Sequence, residues 1–113
     1  MRKIASIIVL SCLSVALWAQ SKNATYEAYI DEYRQVAIEQ QRKHGIPASI
    51  TMAQAILESA AGQSELATKA NNHFGIKCTS DWPGKTYKYN DNRHNECFRK
   101  YAEVADSYED YSL

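Results

Sequence analysis

The chain has 113 residues, with thirteen basic and thirteen acidic side chains that cancel to no net formal charge. That length suits one small domain, and the lack of a basic excess argues against a general nucleic-acid binder, which needs a positive field to attract phosphates. There is no glycine-rich phosphate loop and no serine in a nucleophile-elbow setting, which sets aside nucleotide and serine-hydrolase chemistry.

Arg2 and Lys3 precede an apolar run from Ile4 to Leu17, interrupted only by Ser11, Cys12 and Ser14. Ala19, in Trp18-Ala19-Gln20, offers a small residue for cleavage. This is the anatomy of a secretory signal over residues 1–19, and the run is short for a stable membrane span. A second reading places a lipid on Cys12 after Val9-Leu10-Ser11, but the apolar stretch continues beyond Cys12 where it should have ended. The expected location is therefore exported, either periplasmic or secreted. Removing the signal leaves roughly 94 residues, a marginal size for a self-sufficient core.

Ser21 to Thr25 is a polar lead-in. Apolar residues then recur at Tyr26, Tyr29, Ile30, Tyr33 and Ala37, the spacing of an amphipathic helix. Gly45, after Lys43-His44, predicts its end. From Ala48 to Ala61 nearly every position is apolar, so this second helix is expected to be buried. Its polar exceptions Thr51, Gln54 and Glu58 fall within about 60° of one another and form a narrow stripe. Gly62 should end it. Ser64 can cap a short helix through Lys69. Phe74 to Cys78 reads as extended, Trp82-Pro83-Gly84-Lys85 as a turn, and Thr86 to Tyr89 as a short strand. Asp91-Asn92 is turn chemistry, and Cys97 to Tyr101 is the returning strand. Asp106 with Glu109 resembles a capping box for a last helix. Helices with a small ribbon make an α+β fold.

Two cysteines, Cys78 and Cys97, remain after the signal, and an even count in an exported chain points to a disulfide. The bridge would close a loop of about 20 residues, worth about 3 kcal/mol in the chain-entropy treatment. Zinc held by His73, Cys78, His94 and Cys97 is the competing arrangement; its irregular ligand spacing and the exported setting disfavour it. No metal or other cofactor is expected.

Glu58 is the leading candidate for acid chemistry. A carboxylate on an apolar helix must line a cleft, pair with a cation or hold a proton, and burial favours the proton. Its alternative is a helix-end side chain pointing into water. Glu96, beside Cys97 on a ribbon the disulfide would stiffen, is a second candidate; its alternative is a surface charge near Arg93 and His94. Asp81, Asp91, Glu65 and Asp110 read as turn or capping residues. The aromatics of the hairpin region can serve as platforms for sugar rings or as core and cross-strand pairs.

Gly45-Ile46-Pro47-Ala48-Ser49-Ile50-Thr51-Met52-Ala53-Gln54-Ala55-Ile56-Leu57-Glu58-Ser59 resembles the catalytic helix of the mannosyl-glycoprotein endo-β-N-acetylglucosaminidase-like family, glycoside hydrolase family 73. Asn71 to Cys78, Trp82 to Lys85 and Cys97 to Tyr101 match that family's later blocks in order, and the cysteine pair resembles forms from Bacteroidetes. The resemblance covers Tyr26 to Leu113 and lacks the family's further C-terminal helices, including a segment whose tyrosine contributes to the active site. It implies a mainly helical lysozyme-like fold and acid-assisted hydrolysis of the β-1,4 bond after N-acetylglucosamine in peptidoglycan. Glu58 takes the general-acid position and Glu96 that of a second acid. Gln54, Asn72, Phe74, Trp82 and Tyr101 are the candidate substrate-binding residues. The implied partner is a peptidoglycan glycan strand met by a monomer, without nucleic acid or stable membrane insertion. Two alternatives are a lytic transglycosylase and a non-catalytic peptidoglycan-binding remnant.

Overall fold

Tyr29, Ala37 and Gln40 are buried on one face of α1 (Arg2–His44) in the computed structural model, which describes residues 2–91 and 94–113, with side chains placed for 23–88 and 95–113. The expected face is present, but the helix is continuous through Ser21–Thr25; none of these five residues is glycine or proline, so nothing there breaks it. The Gly45 N–H bonds Gln41 O at 2.9 Å and ends the helix with three basic residues, Arg42, Lys43 and His44, in its last turn. Among the described residues no helix is long and apolar enough to cross a membrane.

Pro47 has no side-chain donor or acceptor to cap α2 (Ala48–Ser59), and the Gln41 side chain supplies one, accepting the Ala48 N–H at 2.9 Å. The expectation that α2 is buried on nearly every side is corrected. Thr51, Met52, Ala55 and Ser59 face inward, whereas Ile50 and Leu57 are 52% and 74% exposed. A chain this small provides neighbours for only one face, so apolar content did not predict burial here. The polar stripe also divides, since Thr51 is buried while Gln54 and Glu58 are exposed. The helix ends earlier than expected, at Ser59. Ala60 and Ala61 adopt left-handed φ values of 49° and 53° before Gly62. The Ser59 hydroxyl organises this exit, accepting the Gly62 N–H at 2.8 Å and donating to Ala55 O.

Ser64 caps α3 (Glu65–Ala70) by accepting the Ala67 N–H, as its sequence position predicts. β1 (Lys85–Asp91) and β2 (His94–Lys100) pair antiparallel, with Tyr87 opposite Phe98 and Lys85 opposite Lys100. The turn expected at Asp91-Asn92 falls partly outside the described residues. Lys77 forms a single bridge to Phe98, so the extended segment before Cys78 lies along the other edge of β2. The Cys78–Cys97 disulfide is formed, with an S–S distance of 2.08 Å. α4 (Val104–Ser112) begins ahead of the expected box. Its N-cap is Glu103, and Asp106 reaches back to accept the Glu103 N–H.

α1 packs against α2 and α4, and α3 packs on β1. The main core gathers Tyr29, Ala37, Met52, Ala55, Phe74 and Tyr108, and a smaller cluster of Leu66, Ala70 and Phe98 joins α3 to the ribbon.

Candidate active site

Glu58 lies in the last turn of α2, at the lip of a cleft of about 330 Å³ lined also by Ser64, Glu65, Gly75, Lys77 and Phe98. Its side chain is exposed, so the burial expected from the sequence is absent. Among the described residues its carboxylate has neither a hydrogen bond nor an ion pair. Gly75 borders it closely. A methyl group at Gly75 would stand 3.5 Å from Glu58 Oε2, and the backbone there has φ +64°, a conformation glycine adopts without strain. An unengaged carboxylate beside an open backbone is free to meet a ligand.

The ribbon forms the far wall. Side chains alternate along a strand, so Glu96, Phe98 and Lys100 share one face of β2, and Cys97 and Arg99 share the other. Phe98 and Lys77 line the cleft, and Lys77 Nζ lies 3.5 Å from Glu96 Oε2. Glu96 thus stands on the cleft side of the ribbon and reaches the cleft through Lys77. The disulfide joins the residues next to both, Cys78 after Lys77 and Cys97 after Glu96.

The other sequence candidates separate. Gln54 is exposed one turn before Glu58 on the same face of α2. Asn72 is buried, and its amide is fully engaged inside the fold. It donates to Ile76 O and Arg99 O and accepts from the Phe74 and Ile76 N–H groups. Phe74 is a core residue stacked on Tyr111 at 4.2 Å. Trp82 and Tyr101 meet edge to face at 5.7 Å and line a separate groove. Asp110, read as a turn or capping residue, is instead a receptor for β2. Its two oxygens accept from Arg99 Nη1, and one also accepts the hydroxyl of buried Tyr101; burial with this carboxylate pushes the phenol well above its ordinary value. Glu65 combines its predicted place at the start of α3 with an unforeseen one, accepting Tyr87 OH at 2.8 Å while lining the cleft.

His73 is packed away from the cysteines. The Tyr29 hydroxyl and the imidazole Nδ1 share a hydrogen bond at 2.7 Å, and Tyr108 OH lies 2.7 Å from Tyr29 OH. Burial lowers the imidazole to about 4, so it is neutral at physiological pH and can accept this bond. The same burial pushes Tyr29 up to about 12. The His94 side chain, the other histidine considered for zinc, lies outside the described residues. Sequence reading missed the triad of Tyr29, His73 and Tyr108; the recurrence of tyrosine on the inner face of α1 was its only trace. It also missed Glu65 and Lys77 as cleft residues, for which no local pattern exists.

Helices around a carboxylate-lined cleft, with a short stapled ribbon as its far wall, make this a lysozyme-like α+β fold. The family model of mannosyl-glycoprotein endo-beta-N-acetylglucosaminidases matches residues 34–113, and the chain belongs to that glucosaminidase family. It is similar to the exo-glucosaminidase LytG of Bacillus subtilis, 65% identical over 37 residues that make up 33% of this chain and 13% of that protein. It is also similar to the peptidoglycan hydrolase FlgJ of Vibrio parahaemolyticus, 29% identical over 96 residues, 75% of this chain and 31% of that one. The crystal structure of a peptidoglycan hydrolase from Sphingomonas sp. A1 superposes with a TM-score of 0.69 at 31% identity, covering 75% of this chain and 58% of that one. The chain therefore spans a third or less of these curated relatives.

Proposed function

We propose that this chain is an exported peptidoglycan hydrolase that cuts the β-1,4 bond following N-acetylglucosamine, working as a single copy with Glu58 as the general acid. The observation that carries the reading is the unengaged Glu58 carboxylate at the cleft lip, with Gly75 leaving room beside it. A glycan laid across the cleft would cover this carboxyl and exclude water from it. Glu58 then protonates the leaving oxygen as positive charge builds on the sugar ring. Glu96 acts from the ribbon side, either on the attacking water or on that charge, with Lys77 setting its position. Gln54, one turn along α2, is placed to contact the next sugar. The relatives named as glucosaminidase and peptidoglycan hydrolases support the substrate class. The amino-terminal residues 1–19 support export.

The test is digestion of purified cell wall by the wild-type chain and by Glu58→Gln, with products read by mass spectrometry. The wild type should release fragments ending in reducing N-acetylglucosamine, and the variant should release at least a hundredfold less. Because Glu58 holds no partner, the substitution should change stability by less than about 0.5 kcal/mol. Undiminished release by Glu58→Gln would remove Glu58 from the role. Anhydro-sugar ends would identify a transglycosylase, and sedimentation with the wall without new ends would identify a binding module.

A further inference from the structure

At the other end of α3 from Glu58 lies a groove of about 550 Å³ lined by Asn71, Trp82, Lys85, Lys100, Tyr101 and Asp106. The proposed hydrolysis makes no use of it. Lys85 and Lys100 are direct cross-strand partners at the base of the ribbon, both exposed, and neither forms an ion pair among the described residues. Like charges placed directly opposite each other on a ribbon repel, and an anion between them would relieve that repulsion.

The groove floor is rigid and aromatic. A methyl group at Gly84 would come within 2.4 Å of the Trp82 ring, so the indole lies directly on the Gly84 backbone. The indole N–H donates to Lys85 O at 2.9 Å, and the Arg99 guanidinium sits 4.5 Å from the ring centroid. The Tyr101 hydroxyl is turned inward to Asp110. The polar handles of both rings are thus engaged within the protein; Tyr101 is buried and backs the groove, leaving the half-buried Trp82 ring and two lysines unpaired among the described residues to meet a ligand. Asp106, partly engaged by the Glu103 N–H, offers an acceptor for an amide or ammonium group.

From this arrangement we infer that the groove binds the acidic stem peptide carried by the glycan strand, with Lys85 and Lys100 clasping its carboxylates. The inference rests on the peptidoglycan reading above. α3 has six residues, hence a length of about 9 Å, so the groove lies within reach of a peptide hanging from a sugar at the Glu58 cleft. Amide groups and paired carboxylates suit the aromatic floor, the two lysines and Asp106 together, which a bare sugar does not.

The experiment titrates three soluble probes into the isotopically labelled full chain: N-acetylmuramyl tetrapeptide, the same compound with its carboxylates amidated, and the sugar without peptide. Poly(glycerol phosphate) is titrated as a fourth, polyanion control. The Trp82 indole N–H signal reports binding. The acidic probe should bind at least ten times tighter than the other two, and this preference should vanish in Lys85→Ala/Lys100→Ala and survive in Lys85→Arg/Lys100→Arg. Both lysines are exposed, so the variants keep the fold, as a thermal melt will show. Equal binding of the three probes by the wild type, or a preference that persists in the alanine pair, would overturn the inference. So would equal binding of poly(glycerol phosphate), which would make the groove a general polyanion surface. Cleavage of wall glycan measured on the same samples separates the two readings. Lost preference with intact cleavage overturns the groove alone, and absent cleavage with intact preference overturns the hydrolase alone.

Discussion

The imidazole of His73 ends a hydrogen-bonded chain that runs through Tyr29 to Tyr108, in a setting with Tyr33 edge-on at 5.0 Å. Its folded value of about 4 lies below the ordinary 6.5, so between these values the unfolded chain takes up a proton that the folded chain refuses. This contribution to stability is complete above about pH 6.5 and is lost as the pH falls toward 4. Denaturant unfolding at a series of pH values should show it, and His73→Gln, which keeps a neutral acceptor, should flatten the curve over that window. If the two proteins lose stability in parallel on acidification, the imidazole is not responsible. At this scale the position of Glu58 at the end of α2 was legible in the sequence, and the way Asn72 is held was not. Asn71-Asn72 looks like chain punctuation in sequence. Its second member makes four contacts that depend on Arg99, 27 residues away, and on a loop whose course no local pattern encodes.

Elements were legible where their ends depend on nearby chemistry. Gly45 stops α1 and Ser64 starts α3 because each acts on backbone groups within four residues. The start of α4 was misplaced because two overlapping acidic pairs, Glu103 with Asp106 and Asp106 with Glu109, fit the same spacing. Glu109 is drawn away to α1, where Gln40 and His44 donate to it at 2.8 and 2.9 Å. The ribbon was anticipated from β-prone runs on either side of Asp91-Asn92, and its staple from the two cysteines. Replacing both by serine should cost about 3 kcal/mol by the chain-entropy estimate, read as a lower denaturation midpoint. Faster amide exchange in residues 94–100 should accompany it. Protection there equal to that of the wild type would mean that strand pairing alone holds the ribbon.

The whole molecule is joined by a few long-range ties that periodicity could not reveal. Arg99 is the broadest of them: it grips Asp110 of α4, Lys77 O and Thr79 Oγ1 of the adjoining segment, and the Trp82 ring. With its side chain only 17% exposed, Arg99→Lys should cost about 2 kcal/mol, because an ammonium lacks the planar fork and stacks less well. A thermal melt unchanged by that substitution would show the ties to be redundant. The cystine has a different reach. It adds a covalent tie between the segment bearing Lys77 and the strand bearing Glu96, which hydrogen bonds and the Lys77–Glu96 ion pair also join. Two residues that face each other across the cleft wall are thus moored to a single covalent post, and neither can swing away without the other.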